Sequence, residues 1–204
     1  MTPVEKIMRT APVIPVLVIE DAAHARAIAE ALVAGGLPVL EVTLRTAAAL
    51  DAIAEMKKVP GAIVGAGTIV DVAGLDSAIA AGAEFIVSPG LTDNLGKAAV
   101  AKNIPFLPGV ASAGDIMRGL DLGLTHFKFF PAEANGGLRA LKSLIGPFGQ
   151  CKFCPTGGIK QETAADWLAV PEILCVGGSW LVGKGVPDVA AIESAARAAS
   201  ALRN

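Results

Sequence analysis

Residues 117–130 read MRGLDLGLTHFKFF, a helical stretch that ends in glycine and leads into an apolar, aromatic strand. Glycine is favoured just past a helix end because it adopts a positive φ without steric cost, and aromatic residues are favoured in strands. The same order of helix, glycine and strand recurs over residues 29–44 and 77–90. Strands that alternate with helices predict βαβ units and a parallel sheet.

Eight segments have the composition of buried strands, and helical segments fill the gaps between them. The strands are residues 13–19, 39–44, 62–67, 84–88, 105–109, 125–130, 152–156 and 173–177. Residues near the predicted helix starts are Asp21, Asp71, Thr92, Ser112 and Gln161. This order predicts an α/β fold, a closed (β/α)8 TIM barrel with a short N-terminal helix, as a single domain over residues 1–204. An open doubly wound sheet is the alternative, and the lack of a G-x-G-x-x-G motif after the first strand weakens its dinucleotide-binding form.

The composition excludes several classes of function. The 204 residues are 53% hydrophobic and carry a net charge of −2, so we expect neither nucleic acid nor a membrane as a partner. No apolar run reaches the ~18 residues of a membrane span, and the N-terminus lacks the charged-then-apolar layout of a signal peptide. A cytoplasmic location is therefore the default expectation.

The cysteines and histidines do not follow a metal-binding pattern. Cys151 and Cys154 match C-x-x-C, but the side chains at positions i and i+3 of a strand point to opposite faces. The two histidines do not stand in a cluster with Asp and Glu residues. We therefore expect no metal and no redox role for the cysteine pair.

Lys128 stands in the middle of the aromatic strand, and Pro131 ends that strand. Lysine is rarely buried, and burying an ammonium group costs several kcal/mol unless it is paired. A buried lysine therefore tends to lose its proton, and a neutral amine can attack a carbonyl carbon. The alternatives are a lysine that reaches out to water from the strand edge and a buried ion pair.

Alternation of side chains along the strands gathers charged groups on one face. In the second strand Glu41 and Arg45 share a face, and in the sixth strand Lys128 shares a face with His126 and Phe130. These patterns predict Glu41, Arg45 and Lys128 inside the barrel near its C-terminal mouth, where the active sites of such barrels lie. A salt bridge at the rim is the simpler interpretation of Glu41 and Arg45.

Glycine-rich turns end the seventh and eighth strands. They contain Thr156, Gly157, Gly158, Gly178 and Ser179. The loops after these two strands often bind phosphate in (β/α)8 barrels, together with the N-terminus of a short helix, because glycine lets backbone N–H groups approach oxygen atoms. Residues 179–182 are the candidate for that helix.

Other residues at the strand ends are candidates to shape the mouth. Thr68, after the third strand, is placed to hydrogen-bond a carboxylate beside Arg45, and ordinary turn chemistry is the alternative. Pro89 follows the fourth strand and is expected to shape the rim.

Six motifs together resemble the 2-keto-3-deoxy-6-phosphogluconate aldolase family, and the resemblance covers residues 11–182. The motifs are EVTLR (41–45), GAGT (65–68), SPGLT (88–92), FKFFPAE (127–133), CPTGG (154–158) and GGSW (177–180). The resemblance implies a lyase of the Entner–Doudoroff pathway, a class I aldolase that cleaves 2-dehydro-3-deoxy-6-phosphogluconate to pyruvate and glyceraldehyde 3-phosphate. It also implies a homotrimer and, as further activities, 4-hydroxy-2-oxoglutarate cleavage and oxaloacetate decarboxylation.

The resemblance also implies roles for individual residues. Lys128 would form the Schiff base and Glu41 would be the general acid and base, so the covalent imine on Lys128 would need no cofactor. The residues expected to bind the substrate carboxylate are Arg45 and Thr68. The residues expected to surround the phosphate are Thr156, Gly157, Gly158, Gly178 and Ser179. The residues expected to line the pocket are Pro89 and Phe130.

The sequence leaves three points open. The segment GVAS (109–112) departs from the family pattern, which leaves the role of Ser112 undecided. The partner of the helix predicted over residues 189–202 is not defined either. The alternatives to an aldolase are a sugar-phosphate isomerase or epimerase on the same barrel, and a non-catalytic barrel that binds a sugar phosphate.

Overall fold

The computed structural model describes residues 1–203, which form alternating strands and helices. The strands are β1 Val13–Leu17, β2 Val39–Thr43, β3 Ile63–Gly67, β4 Ile86–Val87, β5 Phe106–Leu107, β6 Gly109–Val110, β7 His126–Phe129, β8 Lys152–Pro155 and β9 Val176–Gly178. The α-helices are α1 Pro3–Thr10, α2 Ala25–Ala34, α3 Ala49–Met56, α4 Val72–Ala80, α5 Asp93–Ala101, α6 Ala113–Asp121, α7 Gly137–Ile145, α8 Gln161–Leu168 and α9 Val189–Ser200. Short 3-10 helices cover Ala22–His24 and Ala201–Arg203. The predicted α/β class and the short N-terminal helix are confirmed.

The strands pair in parallel and form two sheets. The order is β5-β4-β3-β2-β1-β9 in the six-stranded sheet and β6-β7-β8 in the three-stranded sheet. Two isolated bridges connect the segments of β8 and β9, one from Phe153 to Ile173 and one from Thr156 to Gly177. At the other junction only Pro108 separates β5 from β6. The predicted fifth strand is thus two short strands, because proline has no N–H to donate to a sheet.

Three of the side chains near the predicted helix starts cap α-helices, whereas Gln161 is the first residue of α8 and Lys160 is its N-cap. Asp71 caps α4, Thr92 caps α5 and Ser112 caps α6. At Ser112 the cap is reciprocal, since the carboxylate of Asp115 accepts hydrogen bonds from the N-cap backbone. Burial raises the pKa of Asp115, but hydrogen bonds from Ala111 N–H and from Ser112 lower it below its ordinary value overall. The contacts of Ser112 are therefore those of a helix cap.

The outer core lies between the strands and the surrounding helices. Phe127 and Phe129, which alternation predicts on the outer face of their strand, are fully buried there. The Phe127 ring packs on Phe153 of β8, with the ring centroids 6.2 Å apart. α9 packs on the end of α2, where a Cβ on Gly35 would collide with the side chain of Ala196. The C-terminal helix thus has α2 as its partner.

The inner core lies on the opposite face of the strands. Its buried members on and beside the strands are Ile14, Val39, Phe85, Val87, Leu107, Cys154, Leu174 and Cys175. Ile7 and Met8 of α1 join this cluster, and Met8 is completely buried. Glu5 of the same helix lies near His126, the first residue of β7, with Oε2 and Nε2 3.7 Å apart. α1 therefore covers the N-terminal ends of the strands.

Within residues 1–203, the helices are all too short or too polar to span a lipid bilayer.

Candidate active site

Glu41 of β2 and Lys128 of β7 meet on the inner face of the two sheets. Lys128 Nζ donates to Glu41 Oε1 over 3.1 Å, although the two residues are 87 positions apart in the chain. Lys128 is only 4% exposed and Glu41 only 3%. The alternative of a lysine that reaches out to water is therefore wrong, and the structure contains the buried ion pair. Since both charges lose their water in such a pair, it contributes little stability and marks a candidate site.

Two glycines of β3 provide the space for this pair and its surroundings. A Cβ on Gly67 would collide with the carboxylate of Glu41, and a Cβ on Gly65 would collide with the ring of Phe85. Gly65 is also the lateral partner of Glu41 in the sheet. No role of these glycines was predicted from the sequence, although glycine at alternate positions of an apolar strand is a signal of close approach on one face.

An aromatic ring and a proline flank the lysine. Lys128 Nζ lies 5.3 Å from the centroid of the Phe130 ring, within the range of a cation–π contact. Gly109 is the lateral partner of Lys128, and a Cβ on Gly109 would collide with the carbonyl group of Pro89. Phe130 and Pro89 are both half-buried. Of the two predicted pocket residues, Phe130 thus directly follows the strand of Lys128, and Pro89 lies over Gly109 on the neighbouring strand.

Arg45 is exposed on the rim after the end of β2; the sequence predicts it near the C-terminal mouth, and only its burial inside the barrel is corrected. β2 ends at Thr43, and the chain turns there because Arg45 N donates to Thr43 O over 2.8 Å. The alternation of strand faces does not continue through such a turn. Arg45 Nε donates instead to Thr68 Oγ1 over 3.1 Å, so these two residues lie side by side. In the described part of the chain no ion pair joins Arg45 to Glu41, and the simpler interpretation as a rim salt bridge is wrong.

An open cavity of about 470 Å³ adjoins Arg45 at this rim. Its walls come from the loop after β1, which includes His24, and from residues 182–186, which include Lys184. Neither Glu41 nor Lys128 is among the residues that line this cavity, which lies at the ends of β1, β2 and β9.

The two glycine-rich turns lie next to each other. Thr156 is buried and bridges to Gly177, where a Cβ would collide with the Thr156 hydroxyl group. Gly157 and Gly158 have φ values of +104° and +81°, in the left-handed region that favours glycine. Gly178 is buried, whereas Ser179 beside it is exposed.

The prediction of a short helix over residues 179–182 is wrong. This segment consists of bends in the chain. Glycines at 178, 183 and 185 surround it and Pro187 follows. A helix here would therefore be very short and flanked by the residue types with the lowest helix propensity. Backbone N–H groups at this turn therefore do not carry the dipole of a helix.

The cysteines are placed as the strand geometry suggests. Cys151 and Cys154 are both buried and form no disulfide. Burial raises the pKa of the Cys151 thiol. Over residues 1–203, no group of three or more His, Cys, Asp and Glu side chains is arranged to hold a metal ion. The absence of a metal from the reaction stays a prediction.

Comparisons with known proteins agree on one family. The family described as "Aldolase: KDPG and KHG aldolase" matches residues 4–195. The 2-dehydro-3-deoxy-phosphogluconate aldolase of Zymomonas mobilis is 62% identical over 203 residues, which cover 100% of this chain and 98% of that protein. The crystal structure of the Zymomonas mobilis enzyme with 3-phosphoglycerate has a TM-score of 0.98 over 99% of this chain and 97% of that one.

A second solved structure is less similar in sequence but also aligns over nearly the whole length of both chains. The KDPG aldolase of Legionella pneumophila is 43% identical, with a TM-score of 0.92 over 98% of this chain and 99% of that one. That crystal structure holds pyruvate captured at low pH as a covalent carbinolamine intermediate. The family predicted from the six motifs is confirmed, and the chain belongs to the KDPG and KHG aldolases.

Proposed function

We propose that the protein is a class I aldolase that cleaves 2-dehydro-3-deoxy-6-phosphogluconate to pyruvate and glyceraldehyde 3-phosphate through an imine on Lys128. The observation that carries the proposal is the buried contact between Lys128 Nζ and Glu41 Oε1 in a chain of this family. The captured pyruvate of the Legionella pneumophila relative supports the covalent route. Cleavage of 4-hydroxy-2-oxoglutarate and decarboxylation of oxaloacetate would use the same imine.

The first step needs a neutral amine. Glu41 takes a proton from the Lys128 ammonium across their 3.1 Å contact, which leaves two uncharged groups in a site that excludes water. The nitrogen lone pair then attacks the ketone carbon of the substrate and forms a carbinolamine. Glu41 then returns its proton to the carbinolamine hydroxyl group, which leaves as water, so that a protonated imine forms and Glu41 is a carboxylate again. The Phe130 ring, 5.3 Å from Nζ, faces the cation that forms.

The second step breaks the bond between C3 and C4. Glu41 accepts the proton of the C4 hydroxyl group, directly or through a water molecule, and the bonding electrons move to the imine nitrogen. Glyceraldehyde 3-phosphate leaves, and an enamine remains on Lys128. Glu41 gives the proton it accepted to the enamine carbon, and hydrolysis of the resulting imine releases pyruvate and restores the amine. The covalent lysine thus serves as the electron sink, and the proposal includes no cofactor and no metal.

The two ends of the substrate need separate anion sites. Arg45 and Thr68, which hydrogen-bond to each other on the rim, are proposed to bind the carboxylate. The adjoining glycine-rich turns are proposed to bind the phosphate through backbone N–H groups and hydroxyl groups. The turn residues are Thr156, Gly157, Gly158, Gly178 and Ser179.

We also propose the finer features of the molecule that the motifs imply. The two sheets would complete one closed (β/α)8 barrel, a geometry that the bridges between β8 and β9 support. The protein would act in the cytoplasm as a homotrimer, each chain forming one domain. Sedimentation of the purified protein tests the trimer, because a monomer or dimer would contradict it.

Borohydride reduction in the presence of pyruvate tests the central proposal. The reduced adduct should appear on the peptide that contains Lys128 and disappear in the Lys128→Arg variant. Lys152→Arg, a change at a half-buried lysine on the neighbouring strand, is the matched control and should keep the label. Label on another lysine would refute the assignment. No label together with isomerisation of a ribulose phosphate would favour the isomerase alternative.

A further inference from the structure

The turn over residues 156–158 needs support from outside. Gly157 and Gly158 both hold positive φ values, which glycine adopts readily. Glycine also adopts many other conformations, and each residue that is fixed loses conformational entropy. A turn that presents N–H groups to an anion therefore keeps one shape only where neighbouring groups hold it.

The loop that follows Lys128 supplies this support. Ala132 N donates to Thr156 O over 2.8 Å, and Glu133 N donates to Gly157 O over 3.0 Å. The side-chain stem of Glu133 lies directly over Gly158, where a Cβ would be 2.8 Å from Glu133 Cβ and 2.9 Å from its Cγ. Glu133 thus contacts both glycines, one through its backbone and the other through its side chain.

The carboxylate of Glu133 accepts a hydrogen bond from one helix and lies beside the start of another. Trp167 of α8 is 2% exposed, and its Nε1 donates to Glu133 Oε1 over 3.3 Å. The other oxygen, Oε2, faces the start of α7, because a Cβ on Gly137 would lie 3.3 Å from it. The N-terminal end of a helix attracts a carboxylate. Glu133 therefore connects the turn to the first residues of α7 and to the buried indole of α8.

We propose that Glu133 is a positioning residue that holds the 156–158 turn in the shape that binds the substrate phosphate. This inference rests on the proposed function, since it assigns a support to its phosphate site. A carboxylate repels a phosphate dianion, so Glu133 acts on the phosphate through the turn and not by contact with it. Glu133 follows Lys128 by five residues, and one loop thus joins the reacting amine to the phosphate site.

Two substitutions separate the hydrogen bond from the charge. Glu133→Ala removes the stem beyond Cβ, including the Cγ over Gly158, and the acceptor for Trp167. We expect the KM for the phosphorylated keto acid and the inhibition constant of inorganic phosphate to rise about 10- to 100-fold, the usual effect of losing a hydrogen bond to a charged group, with a much smaller change in kcat. Glu133→Gln keeps the stem and an oxygen that accepts from Trp167, and should restore both constants to near the wild-type values.

The matched control removes a different charge near the same turn. Glu162 is exposed in the first turn of α8, so Glu162→Ala should leave both constants at the wild-type values. Equal increases in Glu133→Ala and Glu162→Ala, or in Glu133→Ala and Glu133→Gln, would overturn the inference, because the effect would then not depend on the side-chain stem and the hydrogen bond of Glu133.

Pyruvate trapping with borohydride distinguishes failure of this inference from failure of the proposed function. Trapping on Lys128 at the wild-type rate in Glu133→Ala, together with weaker phosphate inhibition, supports the inference. Trapping and unchanged phosphate inhibition in that variant contradict the inference and leave the proposed function standing. A wild-type protein that neither traps pyruvate nor is inhibited by inorganic phosphate contradicts both.

Discussion

The two ends of the inner face differ in chemistry, although the same strands form both. At the N-terminal end of β2, Val39 is buried with Met8 of α1 in an apolar cluster. Glu41, the next residue on the same face, hydrogen-bonds Lys128. The same step occurs on β7, where His126 lies beside α1 and Lys128 follows two residues later. On each strand, therefore, two positions separate a residue beside α1 from a residue of the Glu41–Lys128 pair.

This difference shows what the apolar end contributes to the polar end. α1 and the inner cluster cover the side of the site that faces the N-terminal ends of the strands, so water does not reach Glu41 and Lys128 from that side. Electrostatic interactions are stronger where water is excluded, so the apolar cluster strengthens the contact between Glu41 and Lys128. The apolar end should therefore govern stability, while the polar end governs the rate of reaction.

The largest effect, on the rate of cleavage, is expected from Glu41→Gln, which tests whether the polar end governs the reaction. The amide keeps the size of the carboxylate but cannot accept the proton of the C4 hydroxyl group. We expect cleavage to slow by about 10²–10⁴-fold, measured as kcat, while pyruvate trapping on Lys128 stays measurable. Glu20→Gln changes an exposed acid that lines the rim cavity and serves as the control. An unchanged kcat in Glu41→Gln would mean that Glu41 has only a structural role.

A smaller effect, on stability, is expected from Met8→Ala at the other end. Met8 is fully buried, and truncating a buried methionine typically costs about 2–5 kcal/mol of unfolding free energy. Chemical denaturation measures this loss, and the kcat of the folded variant should stay near that of the wild type. Met117→Ala is the matched control because Met117 is 58% exposed, so its stability should hardly change. A Met8→Ala variant of normal stability and low kcat would contradict the division between the two ends.

The smallest effect is expected from pH at the apolar end. Burial lowers the pKa of His126 below its ordinary value of 6.5, while Glu5 acts in the opposite direction and Arg9 and Lys152 lower it further. The unfolded chain therefore takes up a proton as the pH falls through 6.5, and the folded protein does so only at lower pH. The stability that neutral His126 contributes is complete above pH 6.5 and is lost as the pH falls through its lower folded pKa.

Denaturation curves at a series of pH values between neutral and mildly acidic check this expectation. His126→Gln should flatten the decline in unfolding free energy below pH 6.5, whereas His24→Gln should retain it. A decline of the same slope in His126→Gln would assign the pH dependence to other groups.

Much of the fold could be predicted because helix and strand patterns are local. Glycine after a helix, Ser112 and Asp71 at helix starts, and alternation along β7 all depend on neighbours in the chain. The position of Arg45 could not be predicted from alternation, because a turn after Thr43 ends the pattern. The turn over residues 179–182 could not be told from a helix either. Helix formers such as Leu181 stand between glycines there, and the sequence does not show whether their helix propensity outweighs the effect of the glycines.

The contacts around the site were harder to predict than its residue types. Glu133 accepts a hydrogen bond from Trp167, 34 residues away, and Gly67 makes room for Glu41 from a neighbouring strand. Neither contact leaves a periodic signal in the chain. Both depend on which loops and strands come to lie side by side.

By itself the sequence determined the alternation of helices and strands, the family, and the presence of a lysine in an apolar strand, because each is encoded by residues close together in the chain. Only the tertiary structure decided that this lysine contacts an acid 87 positions away, and that Arg45 stays on the rim. The physical reason is that burial and pairing depend on distances between separate strands, and these distances exist only once the sheets have formed and the helices have packed around them.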